Sequence, residues 1–503
     1  MTNPDILIVG AGHNGLVAAA YLAQAGRKVL VLEKRESAGG QLAGAQLASG
    51  ATVPGLHPAG HLRPAIVKEL GLARHGLVTS SADAAYVSAL PDGNSLRLLS
   101  SATDTATLEA IRRFSPHDAA RWPEFVAFMN TAAAFLDAAY ATSMPRLPRV
   151  DLMADGLPLA ALALKLRRLG GKDMFRVIRS LSMSSVELTE EFFESEALRA
   201  AIAGVAIHGV TLGSMSAGTG YTLIHNWLNR GGLAHRGVPG GPQALADALV
   251  RAVRSHGGEV RTGVDVEQIM VEHERVTGVR LASGEVLKAA TVVSSADPRR
   301  TLLGLVGAPE LPPEFVWQTQ SIRMRGSVAK LFVQTDGRHG LPEGTLAVAP
   351  TLKYLERAYD AAKYGEMSRE PYMEITTSGT NVAIHFQFAP YALRNGDWLA
   401  LRPELEKRAL DTLATCCPSF KGSIRSLQSV TPVDLEQAWG LTEGDLNHGQ
   451  LILDQIFFMR PLPGWSNHRT PIDGLYLCGA GMHGGGGISG TAGRNAARAI
   501  LKA

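Results

Sequence analysis

Apolar residues run without a break from Ile6 to Val9, the pattern of a short strand buried on both faces. An alanine-rich stretch from Leu16 to Ala25 follows with helical spacing and is closed by Gly26. A second strand is predicted from Lys28 to Leu32, ending at Glu33. The far end of the chain repeats this arrangement: Leu475 to Cys478 reads as a strand, glycines crowd the stretch from Gly479 to Gly487, and a helical tail starts near Ser489. In between, Leu245, Leu249 and Val253 stand at i, i+4 and i+8 on one face of a helix predicted over residues 245–255. Glu259 to Arg261 and Asp265 to Val271 alternate as strands, and Gly278 to Leu281 with Val286 to Ala289 complete a small antiparallel unit. Residues 76–235 carry helical spacing and few strand runs. Residues 306–440 hold alternating runs such as Val328 to Val333 and Val382 to Phe388. The order predicts an α/β chain, α+β overall, with no internal repeat and no low-complexity linker.

The two glycine-rich turns show what the strands are for. Gly10, Gly12 and Gly15 form GxGxxG straight after the first strand. Gly10 permits the turn, Gly12 lets backbone approach a pyrophosphate, and Gly15 lets the helix lie close on the strand. The helix N-terminus then turns its free N–H groups and positive dipole end toward the phosphates. Glu33 lies about 20 residues further on, where a carboxylate accepts ribose hydroxyls and disfavours a 2′-phosphate. With strands, helix and acid in place, an adenine dinucleotide is expected; the alternative is a glycine turn that only packs a helix on a sheet. Gly485, Gly487 and Gly490 match GxGxxG again, but no strand and no ribose acid follow them. That loop instead leads into a helix whose N-terminus, around Ser489 to Gly493, points at the pyrimidine edge of a flavin and stabilises its reduced form. FAD is the cofactor long enough to need both ends of the chain.

Bulk properties narrow the rest. A chain of 503 residues calls for two or three domains. A formal charge of +3 gives no footprint for nucleic acid. Cys416, Cys417 and Cys478 form neither CxxC nor metal spacing, so a redox dithiol is absent and a reducing compartment is expected. The first strand begins within about five residues of the start, which argues against a signal or transit peptide. No stretch reaches the ~18 apolar residues of a membrane span, so a cytoplasmic protein is expected. One segment leaves an alternative open: Leu157 to Leu169 is apolar yet carries Lys165, Arg167 and Arg168, with Arg176 and Arg179 soon after. Such a helix lies on a membrane surface or forms a core helix with a solvated basic edge, and the core helix is favoured.

The stretches Gly12-His13-Asn14-Gly15-Leu16-Val17-Ala18-Ala19-Ala20-Tyr21-Leu22 and Val292-Val293-Ser294-Ser295-Ala296-Asp297-Pro298 resemble the phytoene-desaturase-like FAD oxidoreductases. Tyr354 to Asp360, Asp434-Leu435-Glu436, and His448-Gly449-Gln450 through Asp454-Gln455 to Arg460-Pro461 are similar to one branch, the pyridine nucleotide-disulfide oxidoreductase domain-containing protein 2 type. The resemblance covers the chain from end to end. It implies a Rossmann-like FAD-binding domain of the two-domain FAD/amine-oxidase type, made of residues 1–75, 236–305 and 441–503. It also implies a substrate-binding domain of 76–235 and 306–440, a mixed sheet with a helical cover. Gly39-Gly40 resemble the doublet that passes the diphosphate and flavin in such oxidases, and the family residue matching Val266 meets the adenine through its backbone. The FAD-binding set is then Gly10, Gly12, His13, Asn14, Gly15, Glu33, Lys34, Gly39, Gly40, Gln41, Arg63, Val266, Gly479, Gly481, Met482, Gly487, Ile488 and Ser489. One departure stands out: Met482-His483-Gly484-Gly485 replaces the family's Thr-His-Pro-Gly, which changes the loop at the flavin.

Catalytic candidates follow from placement. His483 precedes the flavin-facing helix, either beside the ring or as a loop histidine bonded to backbone. Lys330 sits mid-strand, either buried where an amine holds water at flavin N5, as in amine oxidases, or on an edge facing solvent, the favoured reading. Tyr221 and His225 share a helix face with Asn226 alongside and either line the cavity or form a satisfied core pair. Arg63, before Pro64, reaches the flavin's pyrimidine oxygens or an acidic group of the substrate. No Ser-His-Asp set, paired acids or metal cluster rises out of the substrate half, so no metal is expected. The expected function is an FAD-dependent oxidoreductase that dehydrogenates an apolar small molecule, isoprenoid or polyene in class. Oxygen or a quinone is the acceptor, since no second nucleotide fold is present for NAD(P)H. The alternatives are an FAD-dependent amine oxidase, a redox-neutral isomerase using reduced FAD, and a flavin-binding interaction protein with little catalysis. Peripheral membrane contact and a homo-oligomer both stay open.

Overall fold

The computed structural model describes residues 4–57, 61–79, 83–90, 93–145 and 156–503. Five parallel strands build the first sheet in the order Leu475–Leu477, Thr291–Ser294, Ile6–Val9, Val29–Leu32 and Glu259–Arg261. Strands from the beginning, middle and end of the chain thus lie side by side. Ile6 pairs with Val29 on one side and Thr291 on the other. Their unbroken apolar runs are explained by cover on both faces. Ile6, Ile8, Val29 and Val31 point into a core shared with Leu16, Val17, Leu245, Leu249 and Ala496 of the helices His13–Gln24, Pro242–Ser255 and Thr491–Leu501. Leu7, Val9, Leu30 and Leu32 point the other way, onto Ile269 and Val279 of an antiparallel unit, Val266–Glu272, Arg275–Leu281 and Val286–Lys288.

A second, mixed sheet has seven strands in the order Ile424–Val430, Val328–Thr335, Asn381–Gln387, Met373–Ser378, Thr345–Val348, Tyr86–Ala89 and Ser95–Leu98. All its neighbours are antiparallel except Thr345–Val348 with Tyr86–Ala89. The helices Pro116–Ala141, Glu196–Ile207 and Thr219–Arg230 share one apolar core with Tyr86 and Leu96 from this sheet and with Tyr372 just before one of its strands. Leu405, Ala409 and Leu413 of the helix Trp398–Cys416 join a second core with Leu331, Ile375 and Ile384.

Several expectations need correcting. The first helix starts at His13 rather than Leu16, because Gly12 is its N-cap. Strands at Tyr86–Ala89 and Ser95–Leu98 lie in the stretch read as helical; the first is four buried residues, too short to show alternation. Lys330 is not an edge lysine, since its strand is paired on both sides and the residue is only 4% exposed. The helix Gly156–Arg168 is not a core helix, for none of its residues is buried.

Candidate functional site

The glycines of the first turn have different structural reasons. Gly10 has φ +91 and a Cβ there would meet Ser295 Oγ at 2.4 Å; at Gly15 it would meet the Gly10 carbonyl at 2.3 Å. Both are required by the protein's own packing. Gly12 is different: its φ is −67 and its nearest neighbour to an added Cβ is Gly40 Cα at 3.9 Å. Nothing in the protein demands glycine at this position, which fits a turn kept bare for a pyrophosphate. The doublet lies against this turn, with Gly39 N donating to Ala11 O at 2.8 Å, while a Cβ on Gly40 would fall 2.8 Å from Gly12 Cα.

Glu33 is buried and accepts from Ala11 N at 2.8 Å and from Arg35 N at 3.1 Å, which holds the carboxylate at the tip of the second strand. Arg35 reaches on to the carbonyls of Gly40 and Gly44. A cavity of about 220 Å³ opens here, lined among others by Gly12, Asn14, Glu33, Lys34, Val266 and His448. Lys34 is exposed and paired with Asp265 at 2.8 Å. Gln41 also lines the cavity, where its Oε1 meets His57 Nε2 at 2.8 Å.

The C-terminal loop closes onto the same place. Gly479 packs against the Ser295 and Ala296 carbonyls, and Gly481 against Pro298 and the His448 carbonyl. Met482, Ile488 and Ser489 are buried, and the Ser489 carbonyl accepts from Arg63 N at 3.1 Å. Gly484 has φ +76, which a proline ring cannot adopt, so the missing family proline marks a different loop path. Arg460, from the His448-to-Pro461 motif, is buried and donates to the carbonyls of Asn447, Gly449, Gln450, Gln455 and Ala480, tying that motif to the terminal loop. His13 Nε2, His448 Nδ1 and Gln450 Nε2 are buried with no hydrogen-bond partner. Burial, then the nearby His448, lowers His13 to about 4, so its ring is neutral. His13 and His448, both lining the cavity with an orphaned ring nitrogen, and the bare Gly12 turn together fit a polar cofactor lying there.

Three of the four catalytic candidates gather beside the terminal loop. Tyr140 OH meets Tyr221 OH at 2.6 Å and His225 Nδ1 at 2.8 Å; His225 Nε2 meets Asn229 Nδ2 at 2.8 Å. His225 and Asn229 pack on Gly486 and Gly487, where an added Cβ would meet them at 2.9 and 3.0 Å. His483 donates through Nε2 to the Ala139 carbonyl, 3.0 Å away, and its ring stands 6.0 Å from that of Tyr140. Phe457 completes the group, with ring centroids 6.0 Å from Tyr221 and 6.4 Å from His483. Burial, with the Arg63 and Arg460 charges next, pulls His225 down to about 3; burial pulls His483 down to about 4 and raises Tyr221 to about 12. All three are neutral near pH 7. Arg63 does not point free: it donates to Leu228 O and Asn229 Oδ1 and pairs with Asp137 at 2.8 Å.

Lys330 belongs to a separate buried cluster that the sequence did not reveal. Its Nζ lies 2.9 Å from His385 Nδ1, whose Nε2 meets Gln387 Oε1 at 2.8 Å. The His385 ring stacks on His208 at 3.9 Å. Glu374 sits at the centre: Oε1 accepts from Arg230 at 2.9 Å and from Tyr372, and Oε2 lies 2.8 Å from His235 Nε2 and 2.9 Å from His208 Nδ1, the latter poorly aligned. Burial pushes the Glu374 carboxyl up, but Arg230 and His208 outweigh it and hold it well below its usual range. Burial lowers Lys330 to about 8, with Glu374 opposing and Arg230 assisting. His57 is depressed by burial and then by Lys330, His235, His208 and His13, so it stands between this cluster and the first glycine turn.

The substrate half nevertheless holds a grouping of metal-ligand residue types that the sequence did not show. His208, His235 and Glu374 bring three ligand-type atoms within 4.8 Å of one another. Both carboxylate oxygens are already engaged, and Arg230 and Lys330 supply positive charge that a divalent cation would have to oppose. The cluster reads as a buried ion pair with histidine donors. The sequence carried no signal for it, nor for Tyr140, Asn229 and His57.

The family model for flavin containing amine oxidoreductases matches residues 15–501. The chain is 31% identical to pyridine nucleotide-disulfide oxidoreductase domain-containing protein 2 of Rattus norvegicus, over 99% of this chain and 93% of that protein. It is 27% identical to the lycopene-forming phytoene desaturase of Pseudescherichia vulneris, over 98% of each. Among solved structures, an oxidoreductase from Methanosarcina mazei has the same fold, with a TM-score of 0.60, 16% identity, and coverage of 99% of this chain and 100% of that one.

Proposed function

This chain belongs to the flavin containing amine oxidoreductase family and is an FAD-dependent oxidoreductase of the phytoene-desaturase-like kind, and from that premise we propose that it removes hydrogen from a carbon–carbon bond of an apolar isoprenoid or polyene, with oxygen or a quinone as acceptor. The observation that carries this reading is the uncharged, buried aromatic cluster packed on the terminal glycine loop. Tyr140, Tyr221, His225, His483 and Phe457 present rings and no net charge there. Of the charges that His225 feels, Arg63 is paired with Asp137, and Arg460 is a cation that disfavours an ammonium group.

Bound FAD supplies the hydride acceptor. On this reading the first glycine turn and Glu33 hold the pyrophosphate and ribose, Gln41 and Val266 flank them, and the Thr491–Leu501 helix turns its N-terminus to the flavin. Desaturation releases a hydride and a proton, and the proton needs an acceptor. His225 at about 3 and His483 at about 4 are too weakly basic to take it. Of the four candidates only Lys330, at about 8 and held by His385 in its own buried cluster, is basic enough to take it. Tyr221, His225 and His483 then shape the terminal glycine loop they pack on rather than move protons.

The test is anaerobic bleaching of the yellow holoenzyme by pools of isoprenoids, polyenes and amines. Bleaching by the isoprenoid or polyene pools and not by amines is expected. Bleaching by amines alone would replace this reading with the amine oxidase, for which a buried Lys330 is the favouring observation.

A further inference from the structure

We propose that the helical hairpin Gly156–Arg168 and Gly170–Ser182 is a docking face for an anionic lipid bilayer. The proposal rests on the apolar-substrate reading above, since it gives that substrate its source. Leu157 is 77% exposed and Leu164 48%, and with Ala161 they stand at i, i+4 and i+7 on one side of the first helix. Phe175 and Ile178, 64% and 50% exposed, stand at i and i+3 on the second. A single exposed leucine is ordinary, but four large apolar side chains on consecutive helices form a patch that calls for a partner.

The charges identify that partner. Lys165, Arg167, Arg168 and Lys172 make no ion pair among the described residues, whereas Arg176 and Arg179 are tied to Glu124 and Glu191. Asp173 is the one acid in the hairpin. Apolar side chains beside unpaired cations match a leaflet carrying anionic head groups. A second copy of the chain fits less well, because a two-fold contact would set these cations against themselves. No helix among the described residues is long and apolar enough to cross a membrane, so the face lies on the surface.

The hairpin also packs beside the aromatic cluster at the terminal glycine loop. A Cβ on Gly220 would fall 2.2 Å from the Ser180 carbonyl, so the second hairpin helix packs directly on the start of the helix bearing Tyr221 and His225. Leu453 and Phe458, each 43% exposed, flank Phe457 of that cluster.

The test is co-flotation of the FAD-loaded full chain with vesicles of phosphatidylcholine alone or mixed with phosphatidylglycerol. Recovery with the mixed vesicles at least about tenfold higher is expected, falling as salt rises. The pair Phe175→Glu/Ile178→Glu and the pair Lys165→Glu/Arg167→Glu should each lose it, with melting temperature and flavin absorbance unchanged. Equal recovery with both lipids that neither pair disturbs would overturn the proposal. So would a lipid-free dimer that Phe175→Glu dissolves, which would assign the face to a second copy. Flotation needs no turnover, and bleaching by detergent-dispersed substrate needs no membrane. Lost flotation with intact bleaching therefore removes the docking face alone, and lost bleaching with intact flotation removes the substrate class alone.

Discussion

The Gly493 amide donates to Asn14 Oδ1 at 3.4 Å, although the two residues are 479 positions apart, and a Cβ on Gly493 would fall 2.2 Å from the Asn14 carbonyl oxygen. The first and last helices of the chain therefore start against each other, the first with its N-terminus on the cavity. Gly493→Ala should force them apart, because the obstacle is backbone rather than a movable side chain. A loss of about 1–3 kcal/mol in stability is expected, together with weaker FAD retention, read by thermal unfolding and by flavin content after gel filtration.

Gly12→Ala and Gly15→Ala should part ways. Gly12 has room for a methyl group and an ordinary φ, so its alanine variant keeps its fold within about 0.5 kcal/mol but loses FAD. Gly15→Ala drives a Cβ into the Gly10 carbonyl and should fail to fold stably. Thermal unfolding of the two apoproteins, compared with flavin titration, checks this.

Lys330 leaves a signature in the pH dependence of stability. Its pKa is lowered from 10.5 to about 8 in the fold, so between these values the unfolded chain binds the extra proton and stability rises with pH. Below pH 8 both states are protonated and the burial cost is fully present. The difference in unfolding free energy between wild type and Lys330→Met should grow in favour of wild type by roughly 2–3 kcal/mol from pH 8 to pH 10.5. Denaturant titrations across that window read it. In turnover, the wild-type rate should rise through about pH 8 as the amine loses its proton, a limb that Lys330→Met lacks.

Glu374 balances Arg230 in a buried setting, each of them almost fully inaccessible. Glu374→Gln should cost about 3–5 kcal/mol, because it leaves the guanidinium uncompensated. A chelator should change neither melting temperature nor flavin content, and elemental analysis of the purified protein should find no stoichiometric transition metal. A bound metal at unit occupancy would mean that His208 and His235 are ligands rather than hydrogen-bond donors.

The nucleotide end was legible because its information is local. Strand, turn, helix and acid follow one another from Ile6 to Glu33, and each residue's role is set by neighbours in sequence. The pairing of the two termini was legible as well, since glycine density after Leu477 has few uses other than close approach. The Lys330 cluster was not. Lys330, Glu374 and His385 lie on three neighbouring strands, and Arg230, His208 and His235 come from helix ends and a loop. A lysine in an apolar strand reads as an edge residue until pairing on both sides is known. The Leu157-to-Leu169 helix misled for the opposite reason: its leucines suggest a core, and only the structure shows that Leu157 and Leu164 face outward while Leu166 and Leu169 pack inward.

The most direct test of the central claim, that one FAD is clasped between the two ends of the chain, is the flavin released by denaturing the purified protein. One FAD per chain is predicted for the wild type, with marked loss in both Gly12→Ala and Gly487→Ala, one variant from each end. A colourless protein that takes up no FAD on reconstitution would contradict the account, as would a flavin whose retention depends on one end alone.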